Sequence, residues 1–178
     1  MPDVIIAQLG AEEIAQYRSG LEALLRDCIA SGASIGFLAD PSEADVAAYL
    51  ETVEADVHAG TLHLWVALLP DQTLAGSVQL APATKRNGLK RAEVQKLMVL
   101  RSARRHGIAQ RLMTTLEEKA QALGRTLLYL DTQAGSGAEG LYQRLGYQRV
   151  GEIPDYAAAP DGTYHPTALY YKQLRRCP

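Results

Sequence analysis

The residues best placed to do chemistry in this chain form one short run, Arg104-Arg105-His106-Gly107-Ile108-Ala109-Gln110-Arg111. A glycine turn that feeds straight into a helix leaves several backbone amides without partners, directed outward at the positive end of the helix dipole. Such a turn suits a phosphate or pyrophosphate, and Arg104, Arg105 and Arg111 add favourable charge. The small residues Gly107 and Ala109 let a ligand come close to the backbone. Taken alone, the same run reads equally well as a turn beside a solvated basic patch. It is not a Walker loop, because no Gly-Lys-Ser/Thr is present, and the three-glycine dinucleotide fingerprint is missing as well. A pair of carboxylates brings a second kind of chemistry. Glu93 lies inside the apolar run Ala92–Leu100, and Asp131 closes another, Leu127–Asp131. A carboxylate in such a strand needs a partner or a task, since burying it unpaired is costly. The plain alternative is that each caps a strand end or pairs with Lys96 or Arg91.

Positioning these groups falls to a mixed series of strands and helices. Val4–Leu9 reads as an opening strand. From Glu12 to Ile29 the apolar residues Ile14, Tyr17, Leu21, Leu24, Leu25 and Cys28 step by threes and fours, which describes one helix face. A second helix is expected to begin at Asp40-Pro41-Ser42-Glu43 and to end near Gly60. In that reading Asp40 caps free amides, Pro41 sits in the first turn and Glu43 completes the box. Thr61–Leu69 and Leu74–Ala81 form two strands around the turn Pro70-Asp71-Gln72-Thr73. The strand Ala92–Leu100 then leads into a helix from about Gly107 to Leu123, stopped by Gly124. Leu127–Asp131 is a strand of the buried type, and a short helix follows from Gly137 to Leu145. An extended piece at Arg149–Ile153, a Pro160-Asp161-Gly162 turn and a last strand at Thr167–Leu174 complete the series. Strict alternation along Ala92–Leu100 puts Glu93 and Gln95 on one face with Leu97 and Val99, and Val94, Lys96 and Met98 on the other. The order β-α-α-β-β-β-α-β-α-β-β implies an α/β sheet with antiparallel hairpins early and a strand–helix–strand crossover in the middle.

Composition narrows the function classes. A chain of 178 residues fits one domain, and 47% hydrophobic with 21% charged residues is ordinary globular composition. A formal charge of −2 supplies no overall field for nucleic acid or an anionic membrane, so neither partner is expected. The first ten residues carry no basic side chain and too short an apolar run for a signal peptide, and no stretch approaches the ~20 apolar residues that span a bilayer. Cys28 and Cys177 lack metal-ligand spacing and read as free thiols of a cytoplasmic protein that needs no metal.

With its preceding strand included, the segment from Val94 to Ala109 resembles the acyl-CoA-binding motif of the GCN5-related N-acetyltransferase (GNAT) superfamily, Arg/Gln-x-x-Gly-x-Gly/Ala. Arg104, Gly107 and Ala109 fill it. The segment Ala138-Glu139-Gly140-Leu141-Tyr142-Gln143-Arg144-Leu145-Gly146-Tyr147 resembles the family's second block, in which alanine is followed by Leu/Phe-Tyr and then Gly-Phe/Tyr. Two motifs in the right order with a strand between them are far more specific than either alone. The resemblance covers nearly the whole chain. It implies a mixed, mostly antiparallel, twisted sheet of about seven strands, splayed centrally and flanked by about four helices.

The resemblance also implies a chemistry. Acetyl-CoA would be the co-substrate, held by amides from Arg105 to Gln110 (Arg105, His106, Gly107, Ile108, Ala109, Gln110), by Arg104, and by the backbone of Leu97, Met98 and Val99 where the strand splays. Tyr142 falls where the family places the acid that meets the departing thiolate, and a tyrosine of pKa ~10 is protonated at neutral pH. If Ala92–Leu100 and Leu127–Asp131 are neighbours, as in the family, Glu93 and Asp131 flank the same amine. Either of them, or water, would then be the base. No cysteine lies near the motifs to carry the acyl group, so transfer should be direct, within a ternary complex.

Three departures from the family pattern stand out: Arg101 where proline is frequent, Ala109 where glycine is, and Gly135-Ser136 where many members carry asparagine. Asn87-Gly88-Leu89, Arg91–Leu100, Leu130-Asp131-Thr132, Pro160-Asp161-Gly162 and His165-Pro166-Thr167 are similar to the family's toxin-resistance enzymes, which implies a small-molecule amine as acceptor. Gly32–Asp40 and Pro160–Pro166 are the candidate walls of the acceptor pocket, with the aromatics Phe37, Trp65, Tyr156 and Tyr164. Trp65 alternates with apolar neighbours and reads better as core. His58, His63, His106 and His165 are assigned no catalytic role. The expected assembly is a monomer or homodimer. A non-catalytic acyl-CoA sensor and a protein acetyltransferase are the competing readings, and the latter needs an open groove.

Overall fold

Apolar periodicity sorts the helices onto two sides of one sheet. The computed structural model describes residues 4–174, so Cys177 lies outside the described residues. The first strand, β1 (Ile5–Leu9), is followed by helices α1 (Ala11–Ala30) and α2 (Glu43–His58). Next come β2 (His63–Leu68), β3 (Leu74–Pro82) and β4 (Arg91–Val99), then α3 (Ile108–Ala122), β5 (Leu127–Gln133) and α4 (Gly137–Arg144). The antiparallel pair β6 (Gln148–Ala158) and β7 (Tyr164–Gln173) ends the series. The strands form a seven-stranded sheet in the order β1-β2-β3-β4-β5-β7-β6. Only β4 and β5 run parallel, as the crossover through α3 requires. This is the mixed α/β architecture expected from the element order.

β2 shows how the two cores share the sheet. Its Leu64, Val66 and Leu68 pack with Ile14, Leu21, Leu24 and Leu25 of α1 and Val46, Leu50 and Val53 of α2. Its alternate residues Trp65 and Ala67 pack on the other face with Ile108, Leu112, Met113 and Leu116 of α3. A strand covered on both faces becomes a continuous apolar run, so Trp65 is core at 2% exposure. Among the described residues no helix is long and apolar enough to cross a membrane.

The second helix starts later than its proline suggested. Its cap is Ser42, whose hydroxyl accepts from Asp45 N at 3.1 Å while Asp45 Oδ2 accepts from Ser42 N at 3.0 Å. That reciprocal pair is the capping box in place of Asp40 and Glu43. Asp40 sits outside the helix in the left-handed region, φ 51. The strand expected at Arg149–Ile153 continues to Ala158, where β7 pairs with it.

β4 departs from strict alternation, and the departure matters for the site. Its register against β3 runs Leu80↔Val94 and Gln79↔Gln95, then resumes as Ser77↔Met98 and Gly76↔Val99. The extra residue is absorbed in a bulge at which Lys96 takes φ 50. Beyond a bulge the faces exchange. Ala92 and Val94 pack with the α3 core and so do Leu97 and Val99, whereas Met98 is buried with α1 and α2. Glu93 and Gln95 therefore share a face with Met98, not with Leu97 and Val99 as strict alternation required. The physical reason is that one inserted residue reverses every later side chain.

Candidate active site

The cleft originates in strand pairing that stops. β4 pairs with β5 only over Arg91↔Leu127, Ala92↔Leu128 and Glu93↔Tyr129, while on its other side it stays paired with β3 as far as Val99. Past Glu93 the two parallel strands diverge, so Leu97, Met98 and Val99 have no strand partner on the β5 side. α1 packs on β3 and β4, leaving Tyr129 and Asp131 on β5 exposed.

The turn after β4 stands at the wide end of this opening. A 3-10 turn at Arg101–Ala103 leads to Arg105 at φ 65 and Gly107 at φ 77, both left-handed. Gly107 is the N-cap of α3 and, having no side chain, cannot satisfy the helix's first amides. Among the described residues no backbone N–H from Arg105 to Gln110 donates to a backbone acceptor. The first to do so is Arg111, on Gly107 O at 3.1 Å. Buried Ile108 fixes the helix start in the core, while Arg105, His106, Gly107 and Gln110 are exposed and Ala109 is half-buried. Arg104 turns the other way: its Nε donates to Val99 O at 3.1 Å and its Nη2 to Ser31 Oγ at 2.9 Å, at the end of α1.

Tyr142 comes from α4 and is 6% exposed, packed edge-on against Tyr147 at 5.8 Å between ring centroids and beside Tyr170 at 6.1 Å. Burial, with the charge of Asp131 adding to it, pushes its hydroxyl up to about 12. Glu93 is half-buried and Asp131 exposed. The Thr167 hydroxyl lies 2.8 Å from Asp131 Oδ2 and 3.0 Å from Thr132 O, so its single proton is divided between them. The Tyr129 phenol is raised first by burial and then by the charge of Glu93.

Lys96 joins this site although strict alternation along β4 places it on the opposite face. Its Nζ donates to Ile35 O at 2.5 Å and lies 5.9 Å above the centre of the Tyr49 ring. Burial lowers the Lys96 ammonium's pKa, and the charges of Asp131 and Glu93 work against that shift. Tyr49 in turn accepts from buried Gln79 Nε2 at 2.9 Å and takes Phe37 edge-on at 5.5 Å. A faint signal existed, since a lysine inside an apolar strand needs an outlet, but alternation sent it to the opposite face.

The two segments expected around the acceptor do meet. Ala39 N donates to Pro160 O at 2.8 Å, and Ser34 Oγ lies 3.5 Å from Ala158 O. Of the four aromatics expected there, Phe37 is at the site and Trp65 is core. Tyr156 and Tyr164 are 52% and 64% exposed, so neither walls an enclosed pocket.

The model of the acetyltransferase (GNAT) family matches residues 25–147, which run from the last turns of α1 to Tyr147 and include β4, β5 and the turn between β4 and α3. The chain belongs to the acetyltransferase (GNAT) family. It is an N-acetyltransferase of that family, whose members draw their acetyl group from acetyl-CoA. The fold is similar to that of an N-acetyltransferase from Staphylococcus aureus Mu50, with a TM-score of 0.78 and 19% identity over 97% of this chain and 99% of that one. It is similar as well to a candidate acetyltransferase from Salmonella typhimurium solved with its cofactor acetyl-CoA, at TM-score 0.76 and 14% identity over 98% of this chain and 95% of that one. A candidate phosphinothricin N-acetyltransferase matches at TM-score 0.78 and 17% identity over 97% and 99% of the two chains. Identities this low speak for the fold alone.

Among GNAT proteins, Arg101 in place of proline now has a reason. Its backbone N–H donates to Asp27 Oδ2 and its Nε to Asp27 Oδ1, both at 2.8 Å, latching the turn after β4 to α1. Proline could make neither bond. The Gly135-Ser136 turn is held by Glu139, whose Oε1 accepts from Gly135 N at 2.7 Å.

Proposed function

We propose that this GNAT enzyme acetylates the amine of a small molecule by direct transfer from acetyl-CoA in a ternary complex. The observation that carries this reading is the unpartnered amide run from Arg105 to Gln110, facing the place where β4 and β5 part. A pyrophosphate would accept from those amides, with Arg105, His106 and Arg111 exposed beside them. The pantetheine arm would lie along the free side of Leu97, Met98 and Val99, bringing the thioester toward Tyr142 and the carboxylates.

Glu93 and Asp131 would hold the acceptor's ammonium, and one of them, or a water between, takes its proton. The freed nitrogen attacks the thioester carbonyl, the C–S bond breaks and CoA leaves as a thiolate. Tyr142 donates a hydrogen bond to that sulfur. With its phenol pushed up to about 12 by burial, Tyr142 holds its proton firmly against a departing thiolate. Tyr142 thus works chiefly by stabilising charge, and the proton reaches sulfur from the acceptor nitrogen or solvent.

The contact between 32–40 and the 160–166 hairpin supports a small acceptor, because an extended polypeptide would need an open groove there. The short stretches similar to the tabtoxin-resistance acetyltransferase of plant-pathogenic pseudomonads support an amino-acid- or dipeptide-sized compound. A buried free thiol at Cys28 fits a cytoplasmic enzyme, working as a monomer or homodimer. The test is thiol release from acetyl-CoA across a panel of small amines, amino acids and peptides. Turnover on small amines is expected; tight CoA binding with no turnover on any amine would make the protein a sensor instead.

A further inference from the structure

We infer that Lys96 receives a carboxylate of the acceptor, so that the substrate is an amino acid or a compound presenting an amine and a carboxylate together. The inference rests on the acetyl-transfer reading for the identity of the amine site, and on separate observations for the carboxylate.

An ammonium group carries three donors, and Lys96 gives one of them to Ile35 O at 2.5 Å. Its other neighbours do not use the rest. Tyr49 offers a ring face and has its hydroxyl engaged by Gln79. Glu93 and Asp131 lie near enough to act on the Lys96 charge, yet neither forms a direct ion pair with it among the described residues. A half-buried ammonium that makes no ion pair with two nearby carboxylates is an arrangement that a substrate with both charges would bridge. The positive end of a zwitterion would face Glu93 and Asp131, and its negative end Lys96.

The backbone is arranged to keep Lys96 there. Its φ of 50 is a left-handed conformation that a lysine rarely adopts, and it is imposed by the β4 bulge. Without the bulge the side chain would point into the α3 core. Gly36 takes φ 91 beside the ammonium, and a Cβ on this residue would lie 3.2 Å from Lys96 Nζ. The same arrangement discriminates against diamines and polyamines, whose second positive charge would meet Lys96.

The experiment compares amino acids with their decarboxylated amines and their carboxamides, which bracket the amine's basicity, and adds diamines of similar length. The wild type should favour the carboxylate-bearing compound by about 10- to 100-fold in kcat/KM, mostly through KM. Lys96→Met should bring that ratio close to one, and Lys96→Arg should restore part of the preference. An unchanged ratio in Lys96→Met, or an equal fall for both compounds, overturns the inference and leaves Lys96 a fastening for the loop. The same pairs are titrated calorimetrically into the CoA complex. Carboxylate-selective binding that Lys96→Met removes, without turnover by the wild type, would refute acetyl transfer and keep the carboxylate site.

Discussion

Two lysines on opposite faces of the sheet are built from the same parts and do different work. Lys172 on β7 lies 5.5 Å from the centre of the Tyr147 ring, and its Nζ meets Glu117 Oε2 at 2.7 Å. Both side chains of that pair are mostly buried, at 23% and 16% exposure, and the centre is closed. Lys96 on β4 also lies over a tyrosine ring and also has carboxylates nearby, but it stands off from them and donates to a backbone carbonyl. Direct contact turns the first set into a brace between α3 and β7. Separation turns the second into a cleft with unsatisfied charge. Composition alone does not distinguish a structural lysine from a functional one; whether its counter-charge is already in contact does.

Substitutions at the two centres should therefore have opposite profiles. The largest effect is expected from Glu93→Gln combined with Asp131→Asn, which should lower kcat/KM by roughly 10²–10⁴ with little change in melting temperature. Steady-state assays with parallel melts check it, and a comparable loss of stability would make the pair structural. Glu93→Gln alone should move the pH dependence of kcat/KM upward if Glu93 is the base; an unmoved profile assigns that task to Asp131 or water. Tyr142→Phe should cost about 10–10² in kcat where chemistry limits the rate, the size expected for one hydrogen bond to a developing charge. Full activity would remove Tyr142 from the mechanism.

At the closed centre, Lys172→Met leaves Glu117 without its partner and should destabilise the protein by about 2–4 kcal/mol in denaturant melts, with kcat per folded molecule preserved. Lys96→Met should do the reverse and leave stability equal to or above that of wild type. The pH dependence sharpens this. The folded-state pKa of Lys96 lies below 10.5, so between the two values the unfolded chain binds more protons and wild-type stability climbs with rising pH. Lys96→Met should lose that climb.

The smallest effect belongs to Asp27. Burial alone would raise its pKa, but the hydrogen bonds from Arg101 outweigh that and hold it below 3.8. Its contribution is present above about pH 4 and lost as pH falls through 3.8 and below. Asp27→Asn should remove that acid limb, cost within about 1 kcal/mol for a pair whose arginine is 55% exposed, and weaken CoA binding only a few-fold.

The chain made much of this readable in advance, for reasons that are local. The α1 stripe from Ile14 to Cys28 and the α3 stripe from Leu112 to Ala120 announce themselves by period, and a glycine turn between arginines announces a helix start with free amides. What stayed hidden depends on register or on distant contacts. The run Glu93-Val94-Gln95-Lys96-Leu97-Met98-Val99 has the same composition with a bulge or without one, yet the bulge decides on which side Lys96 emerges. The cap moved to Ser42 because Asp45 answers it three residues on, a competition that Pro41 obscured. The contact of Ala39 with Pro160 joins residues more than a hundred apart in the chain. Nothing in either segment alone encodes it.

The parting of β4 and β5 has one more consequence. A sheet normally has two margins, and exposed margins attract foreign strands. Here the sheet carries a second pair within its own interior, along the stretches where β4 and β5 face each other unpaired. A docked strand would have to sit ~4.8 Å from each side, and the gap tapers to nothing at Glu93 and Tyr129. The taper therefore limits how far a foreign strand could pair along this seam.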